Sequence, residues 1–376
     1  MQRLGYGKSL SGSVEVAAST GGSLLPPVMG SAAFIMAEYT GIEYRDIAIA
    51  GIVPALLYYV CVYTQIHLRS EKMGLKGLEE NEVSTVKVAM ANGGLFIIPL
   101  LVLSVALVMG YSPTYVAAFA SLSVIAVAAI KPSTRMGLKS IWEALGETTL
   151  RMVSVTAACA AAGLVIGGIS MTGLGGKFAD LVFMLAGNSS ILVLIISAIL
   201  AIILGMGMPT PSAFILAAVL VGPTLSSLDF SAMQSNMFIL YFAVLSAMTP
   251  PVAVAAFAAS AIADAKPLGI SVGAVKLAIT AFVVPFAFMY GEGLLLAGPI
   301  TGIVLNCLTA TLGVIVLSAG IEGYWKAPLS GIAQAMLLVA GLMFLAPSII
   351  ALGIAIALVV VVVLSTPHLR SRAKIA

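Results

Sequence analysis

Hydroxyl and backbone oxygens beside paired prolines are the groups in this sequence most suited to chemistry. In the stretch Ser246-Ala-Met-Thr-Pro-Pro-Val252, two prolines interrupt an apolar segment, 233–263, that is long enough to cross a bilayer. A proline inside a helix removes one N–H donor and blocks the carbonyl four residues earlier, so this pair is expected to free the carbonyls of Ser246 and Ala247. Such carbonyls survive at membrane depth only where protein, water or an ion satisfies them. The stretch therefore predicts a cation or substrate site.

The same arrangement occurs near the start of the chain. There, Thr20-Gly-Gly-Ser-Leu-Leu-Pro-Pro-Val28 is followed by Ala32-Ala-Phe34, just as the later stretch is followed by Ala255-Ala-Phe257. The two Pro-Pro pairs, which begin at positions 26 and 250, lie 224 residues apart. A third break, Gly205-Met-Gly-Met-Pro-Thr-Pro-Ser-Ala213, precedes the second copy. Repeated broken helices in two halves of a membrane protein indicate the binding site of a secondary transporter.

Oxygen ligands at these breaks would suit a sodium ion, which needs several oxygens at once to replace its water. Unwound backbone and Ser/Thr hydroxyls supply them without placing a full charge in the membrane. The first break is expected to free the carbonyls of Gly22 and Ser23, and the third those of Gly205 and Gly207. The alternative is that glycine and proline merely kink these helices, since both are common in membrane spans. The candidates are Ser19, Thr20, Gly21, Gly22 and Ser23 at the first break, Gly205, Gly207, Thr210 and Ser212 at the third, and Ser246 and Thr249 at the second.

Few charged side chains accompany these oxygens. Glu15 lies within the first broken segment, and an intramembrane carboxylate is a functional candidate by default; the alternative is that it is hydrated at the cytoplasmic interface. His67 and His368 both fall at the ends of apolar runs, which argues against an imidazole proton relay. The sequence contains no HExxH, GxGD or GxSxG motif, so it does not support an intramembrane enzyme.

The composition is that of a polytopic membrane protein. The chain is 61% hydrophobic and 9% charged, with a mean hydropathy of +1.14. About 20 apolar residues suffice for one crossing, and the chain holds many such runs. The net charge of +3 does not imply nucleic acid, because basic residues in membrane proteins mainly set orientation. The three cysteines are far apart in apolar runs and predict no disulfide framework.

These runs predict an all-α fold of about ten transmembrane helices with one re-entrant hairpin. The hairpin interpretation of 189–222 places every basic residue except Arg45 and Lys177 on one side, together with both termini, and the positive-inside rule makes that side cytoplasmic. The predicted membrane segments are 8–40 (broken), 46–67, 93–109, 114–130, 147–170, 189–222 (hairpin), 233–263 (broken), 268–290, 294–320, 331–346 and 347–364.

The two broken segments then run in opposite directions, which is the arrangement of an inverted-topology repeat. Leu138, Ile141, Trp142 and Leu145 follow helical spacing and predict a short interfacial helix over 136–146. The predicted parts of the chain are 1–67 (C-terminal part of the first repeat), 68–146 (cytoplasmic loops, including the charged loop 68–92, and scaffold helices), 147–290 (second repeat) and 291–376 (extra transmembrane helices and a basic tail).

Four stretches together resemble the large membrane (permease) subunit of TRAP transporters, specifically the fused permeases that work with TAXI-type binding proteins. They are Gly12–Glu38, Tyr58–Leu68, Gly205–Pro211 and Ser246–Ile262. The resemblance implies an elevator-type carrier in the cell inner membrane, with sodium-coupled uptake of a small organic anion such as a carboxylate or amino acid. It also implies delivery of that solute by a periplasmic TAXI-type binding protein, and Na⁺ as the coupling ion with no other cofactor.

The resemblance also bears on what accompanies this chain. Members of the family begin earlier, with scaffold helices and a hairpin that opens to the cytoplasm. A small membrane subunit or upstream permease helices are therefore expected partners, and the alternative function is a non-transporting fragment that needs an upstream polypeptide. By motif, the resemblance implies separate roles for the oxygens at the breaks. Sodium would be held by Ser19, Thr20, Gly21, Gly22, Gly205, Gly207, Ser246 and Thr249, and substrate by Ser23, Thr210, Ser212 and Thr249.

Overall fold

The computed structural model describes residues 1–75, 93–187 and 189–365, together with Thr85, Val88 and Met90. Most of the predicted charged loop and the basic tail after residue 365 therefore lie outside the described residues. The described part is almost entirely helical, with one small β-hairpin.

The helices are α1 (Lys8–Gly22), α2 (Gly30–Thr40), α3 (Tyr44–Lys72), α4 (Ile97–Val108), α5 (Pro113–Ile130), α6 (Leu138–Thr172), α7 (Leu174–Ala186), α8 (Ser190–Gly205), α9 (Thr210–Ser226), α10 (Ala232–Leu245), α11 (Val254–Ala263), α12 (Pro267–Leu277), α13 (Ile279–Tyr290), α14 (Ile300–Glu322), α15 (Gly331–Leu345) and α16 (Ile349–Ser365). Strands β1 (Tyr324–Trp325) and β2 (Ala327–Pro328) pair antiparallel between α14 and α15. Short 3₁₀ turns cover Gln2–Leu4, Gly94–Phe96, Pro132–Thr134 and Glu292–Leu295.

The sequence repeat is also a structural repeat. Helices α1 and α10 start 224 residues apart, and so do α2 and α11. Each second half-helix is preceded by a non-glycine residue with positive φ, Met29 at 47° and Ala253 at 38°. The Pro26–Pro27 and Pro250–Pro251 peptide bonds are both cis. Both predicted broken helices are therefore present, with their breaks at equivalent positions.

The two broken helices run antiparallel. Helix α1 packs against α11, and α2 packs against α10, so the first half of each contacts the second half of the other. At the end of this crossing Lys8 pairs with Asp264, and the Gln2 side chain donates to the Ala263 carbonyl at 3.2 Å. The hydrogen bond and charge of Lys8 lower the pKa of the Asp264 carboxyl. The opposed directions are those of an inverted repeat.

Helix α10 lies at the centre of the core and holds the second break in place. Every residue from Met237 to Ser246 is buried, as expected for a helix that is apolar on all sides. Phe238 and Phe242 pack edge-on against each other and against Phe286 of α13. The segment that enters the break is thus surrounded by protein rather than by lipid.

Helices α12 and α13 form one predicted span, 268–290, and this span is bent by 41° at Ala278. The side chain of Gln65 in α3 donates to the carbonyls of Lys276 and Leu277, each at 3.1 Å, and so satisfies acceptors at the bend. The sequence has no proline at this bend that would predict it, because Pro285 lies farther along α13. The sequence therefore predicted the span but not its bend.

The predicted hairpin consists of α8 and α9, which pack against each other around the connection 206–209. The predicted interfacial helix over 136–146 is not separate: it is the beginning of α6, a continuous helix of 35 residues. A Cβ placed on Gly146 would meet no atom of another element within 4 Å, and this glycine does not interrupt the helix. Helix α7, between the predicted span 147–170 and the hairpin, was not predicted.

Among the described residues, four helices are long and apolar enough to cross a membrane, or five if the bent pair is one span. The hairpin and the second broken segment contribute apolar helices that are shorter than the length used for this count. At the C-terminal end, α14 packs on α3 and α15, and Gly313 and Gly341 let the α14 and α15 backbones approach closely. The all-helical membrane architecture predicted from composition is confirmed.

Candidate functional site

The hairpin tip contacts the second break directly. A Cβ atom placed on Gly205 would lie 2.5 Å from the Oγ atom of Ser246, so only glycine allows this approach. Two residues farther along the chain, Gly207 has a φ of +78°, and a Cβ there would lie 3.5 Å from Val252. The positive φ explains why the tip carries glycine. The structure thus brings together three of the predicted site residues, Gly205, Gly207 and Ser246.

Two hydroxyl groups of the second break donate their protons to carbonyls of α10. The Ser246 Oγ donates to the carbonyl of Ala243 at 2.7 Å, and the Thr249 Oγ1 donates to that of Leu245 at 2.7 Å. A hydroxyl that donates its proton in this way keeps lone pairs on its oxygen. Both oxygens can therefore act as ligands for a cation.

The carbonyls of the second break are not bare. That of Ser246 accepts from the N–H of Thr249 at 3.3 Å, and that of Ala247 accepts from the N–H of Ala255 at 3.0 Å. The prolines therefore remove the ordinary helical bonds to these carbonyls, as predicted, and other protein N–H groups satisfy both. The reason is that the chain folds back after the prolines, which brings the first turn of α11 within reach of the end of α10.

At the hairpin tip the two predicted carbonyls differ. The carbonyl of Gly205 accepts from the N–H of Met208 at 3.3 Å. Within the described residues no N–H or O–H group donates to the carbonyl of Gly207. One carbonyl of the tip therefore remains available as a ligand.

The carbonyls of the first break have the arrangement that the sequence predicted. In the described part of the chain, no N–H or O–H group donates to the carbonyl of Gly22 or Ser23. Gly21 lies against the ring of Tyr58, where a Cβ would come within 2.4 Å of a ring carbon. The Tyr58 hydroxyl hydrogen-bonds to the carbonyl of Ala17. The end of α1 is thus held in place while its last carbonyls stay open.

Tyr58 and Tyr59 are positioning residues that the chemical reasoning missed. The Tyr59 hydroxyl donates to the Ala18 carbonyl at 3.1 Å, next to the bond made by Tyr58. The available signal was two adjacent tyrosines in a segment with helical hydropathy, which is unusual because both hydroxyls then need partners in the membrane. Both partners lie one turn before the break in α1.

The remaining polar candidates of α1 differ in exposure. The Ser19 Oγ donates to the Glu15 carboxylate at 3.1 Å, and this contact lies at the surface of the helix. Thr20, by contrast, is buried. A carboxylate bonded to its own helix is compatible with either of the two roles considered for Glu15, which stay predictions.

Ser212 faces a different helix from the other residues of the hairpin tip. Its Oγ lies 3.9 Å from the Sγ of Cys159 in α6, and within the described residues no hydrogen bond joins it to the second break. Thr210, the first residue of α9, is half-buried at the tip. Residues two apart in a helix point in different directions, so Ser212 and Thr210 do not face the same neighbours, and a role of Ser212 in substrate binding stays a prediction.

The candidate oxygens therefore form two groups. One comprises the hairpin tip and the second break, and the other comprises the end of α1. Within the described residues, no hydrogen bond joins the two groups. Helices α2 and α10 contact each other and α9, and so place the second half of the first broken helix beside the hairpin.

Comparison with known proteins gives the family. The family model described as "Tripartite ATP-independent periplasmic transporter, DctM component" matches residues 1–303. The chain belongs to the DctM family. It is therefore the large permease component of a TRAP-type secondary transporter, a multi-pass membrane protein that works with a periplasmic binding protein and a small membrane subunit. No curated protein sequence matches the chain.

Proposed function

We propose that this DctM-family permease couples the entry of sodium to the uptake of a small organic anion, a carboxylate or an amino acid, delivered by a TAXI-type binding protein. The observation that carries the proposal is the contact of Gly205 with Ser246, because it joins a hairpin tip to a helix break. Transporter sites of this kind lie where discontinuous helices meet in the membrane.

Sodium is assigned to both groups of oxygens. At the hairpin tip the ligands are the carbonyl of Gly207 and the hydroxyl oxygens of Ser246 and Thr249, whose protons are engaged elsewhere. At the first break they are the carbonyls of Gly22 and Ser23. All are neutral oxygens, which suit an ion that must bind and leave in every cycle.

An organic anion is supported by the half-helix ends that surround the tip. Helices α2, α9 and α11 all begin at or just after a break, and the start of a helix carries partial positive charge. Ser23, Thr210 and Thr249 are half-buried at these points and offer hydroxyls to a carboxylate. A zwitterionic amino acid fits the same positions, so both chemical classes belong in the test.

Inverted repeats support an elevator-type movement, in which the unit that carries the breaks shifts across the membrane. Each broken helix is centred on its break, and the two helices run antiparallel through the same core. A site located between such repeats can open to either side by equivalent movements. The distribution of basic residues supports the cell inner membrane, with both termini in the cytoplasm.

The test is uptake into proteoliposomes that contain the permease and its small membrane subunit, with a TAXI-type binding protein outside. Candidate dicarboxylates and amino acids are screened with and without an inward sodium gradient. Thr249→Ala removes one proposed hydroxyl ligand, and Thr172→Ala, in an exposed part of α6, is the matched control. We expect uptake that needs both sodium and the binding protein and that falls at least tenfold in Thr249→Ala only. Uptake independent of sodium would contradict the proposal.

A further inference from the structure

Helix α14 is bound to α3 by a buried ion pair. The Arg69 guanidinium donates from Nε to Glu322 Oε2 at 2.9 Å and from Nη2 to Oε1 at 2.8 Å. Lys72 Nζ donates to the Glu322 carbonyl at 2.8 Å. The Glu322 side chain is only 3% exposed. Bidentate arginine–carboxylate pairs fix orientation as well as distance, so the end of α14 is held in one register on α3.

The contact continues along α3 toward the middle of the molecule. Ser318 Oγ lies 3.5 Å from the Sγ of Cys61, and both residues are fully buried. Leu68 and Ala319 pack in one apolar cluster between these two polar contacts. The interface therefore spans two turns of α3, from residue 61 to residue 69.

Helix α3 is also the helix that holds both repeats. Its tyrosines Tyr58 and Tyr59 bond to α1 just before the first break. Its Gln65 bonds to the carbonyls at the bend between α12 and α13. Helix α12 in turn reaches the second break, because Ser271 Oγ donates to the carbonyl of Met248 at 2.7 Å. A movement of the breaks must therefore involve α3.

We propose that α14, with α15 and α16 packed on it, moves as one body with the core that carries the breaks, held there by Arg69 and Glu322. Most of this helical unit lies beyond the residues that match the family model. Separating the pair would leave a buried unpaired charge, which is strongly unfavourable, so α3 and α14 keep their contact throughout the cycle. The inference rests on the proposed transport function, since it concerns which helices move.

The test uses a disulfide between native Cys61 and Ser318→Cys, in a chain that also carries Cys159→Ala and Cys307→Ala. The present separation of 3.5 Å needs only a small side-chain adjustment to reach disulfide geometry. Copper phenanthroline forms the bond, a reductant reverses it, and a maleimide gel shift measures its yield. Uptake is compared in oxidised and reduced samples of the same variant, and the Cys61→Ala version serves as the control that cannot crosslink.

We expect complete crosslinking and uptake rates within twofold of each other in the oxidised and reduced states. A tenfold loss on oxidation that reduction restores would overturn the inference, because α3 and α14 would then have to move apart. Failure to crosslink in folded protein would overturn it as well. The crosslinking rate, measured with and without sodium, tests the contact between α3 and α14 without any uptake. Failure of this inference is therefore distinguishable from failure of the transport proposal. A rate that changes more than threefold with sodium counts against the inference.

A charge exchange tests the role of the pair itself. Arg69→Glu alone places two carboxylates together, whereas Arg69→Glu with Glu322→Arg re-forms the pair in the opposite sense. We expect the single variant to lower the turnover number at least tenfold with little change in substrate KM, since neither residue lies near the breaks. We expect the double variant to recover most of the turnover. A single variant that raises KM and leaves turnover intact would assign the pair to substrate binding instead and overturn the inference.

Discussion

Replacing Gly205 by alanine tests the contact on which the proposed sodium site depends. The added Cβ would lie 2.5 Å from Ser246 Oγ, 2.9 Å from Ser246 Cβ and 3.3 Å from Ala213 Cβ. Ser246 is buried, and its hydroxyl is bonded to α10, so its side chain has no space into which it can turn. The hairpin tip must therefore move. Overpacking of a filled site costs about 1–3 kcal/mol.

That cost sets the expected effect on sodium. If ion binding requires the tip and the break at their present separation, a penalty of about 1–3 kcal/mol raises the half-saturating sodium concentration by roughly 5- to 140-fold. The assay is initial uptake rate against sodium concentration in proteoliposomes, together with the melting temperature of the purified protein in detergent. The melting temperature should fall as well, because the same clash destabilises the core.

Two further variants separate the clash from general effects of alanine. Gly167→Ala, in the C-terminal part of α6, would place a Cβ that meets no atom within 4 Å, and we expect it to be neutral or stabilising by up to about 1 kcal/mol. Gly205→Ala combined with Ser246→Gly removes the atoms that clash and should recover part of the lost melting temperature. Normal sodium dependence and melting temperature in Gly205→Ala would refute the packing. A lower melting temperature with unchanged sodium dependence would refute the ion assignment alone.

Three further variants test separate parts of the structure. Tyr58→Phe removes the hydrogen bond to α1 and should lower the free energy of unfolding, measured in mixed detergent, by about 0.5–1.5 kcal/mol. Because its pairing with Lys8 lowers the pKa of Asp264, the stabilisation is present above the ordinary aspartate value of about 4 and is lost as pH falls through the lowered value. The melting temperatures of wild type and Asp264→Asn should therefore differ at pH 7, and the difference should shrink as pH falls below the ordinary aspartate value of about 4. Ser212→Cys should form a disulfide with Cys159, 3.9 Å away in α6, and oxidation should stop uptake reversibly if the hairpin moves relative to α6.

Each of these predictions has an outcome that contradicts it. Tyr63→Phe, on an exposed part of α3, is the control for Tyr58→Phe, and equal losses in both would mean that the buried hydrogen bond contributes nothing. A difference between wild type and Asp264→Asn that does not shrink at all as the solution is acidified from pH 7 would mean that the carboxylate charge is not its source. Full uptake in the oxidised Ser212→Cys protein would show that α6 and the hairpin move together.

Much of the fold could be predicted from the sequence because the signals are local. The Pro-Pro pairs at 26 and 250 fix where two helices break, since proline removes a donor wherever it stands. Hydropathy alone gives the spans, because lipid requires long apolar helices. The direction of each broken helix follows from counting crossings, which is why the inverted repeat was predictable before any contact was known.

The bend at Ala278 and the continuity of α6 could not be predicted, because neither has a local signal. The carbonyls at the bend are satisfied by Gln65, which lies 211 residues before Lys276 in the chain. Similarly, Gly146 could have ended a helix but stands in an open part of α6, where nothing interrupts the turn. Long-range partners of this kind are invisible in a hydropathy pattern.

For the candidate site, the sequence by itself determined which oxygens could act, and the tertiary structure decided which of them face one another. The residue types at the breaks marked Gly22, Ser23 and Gly207 as sources of open carbonyls, since proline cannot donate to them. Only the packed chain showed that the N–H of Ala255 returns to satisfy Ala247 and that Ser212 turns toward α6. Both outcomes depend on the path of the chain after a break, whereas a proline predicts only that the helix ends.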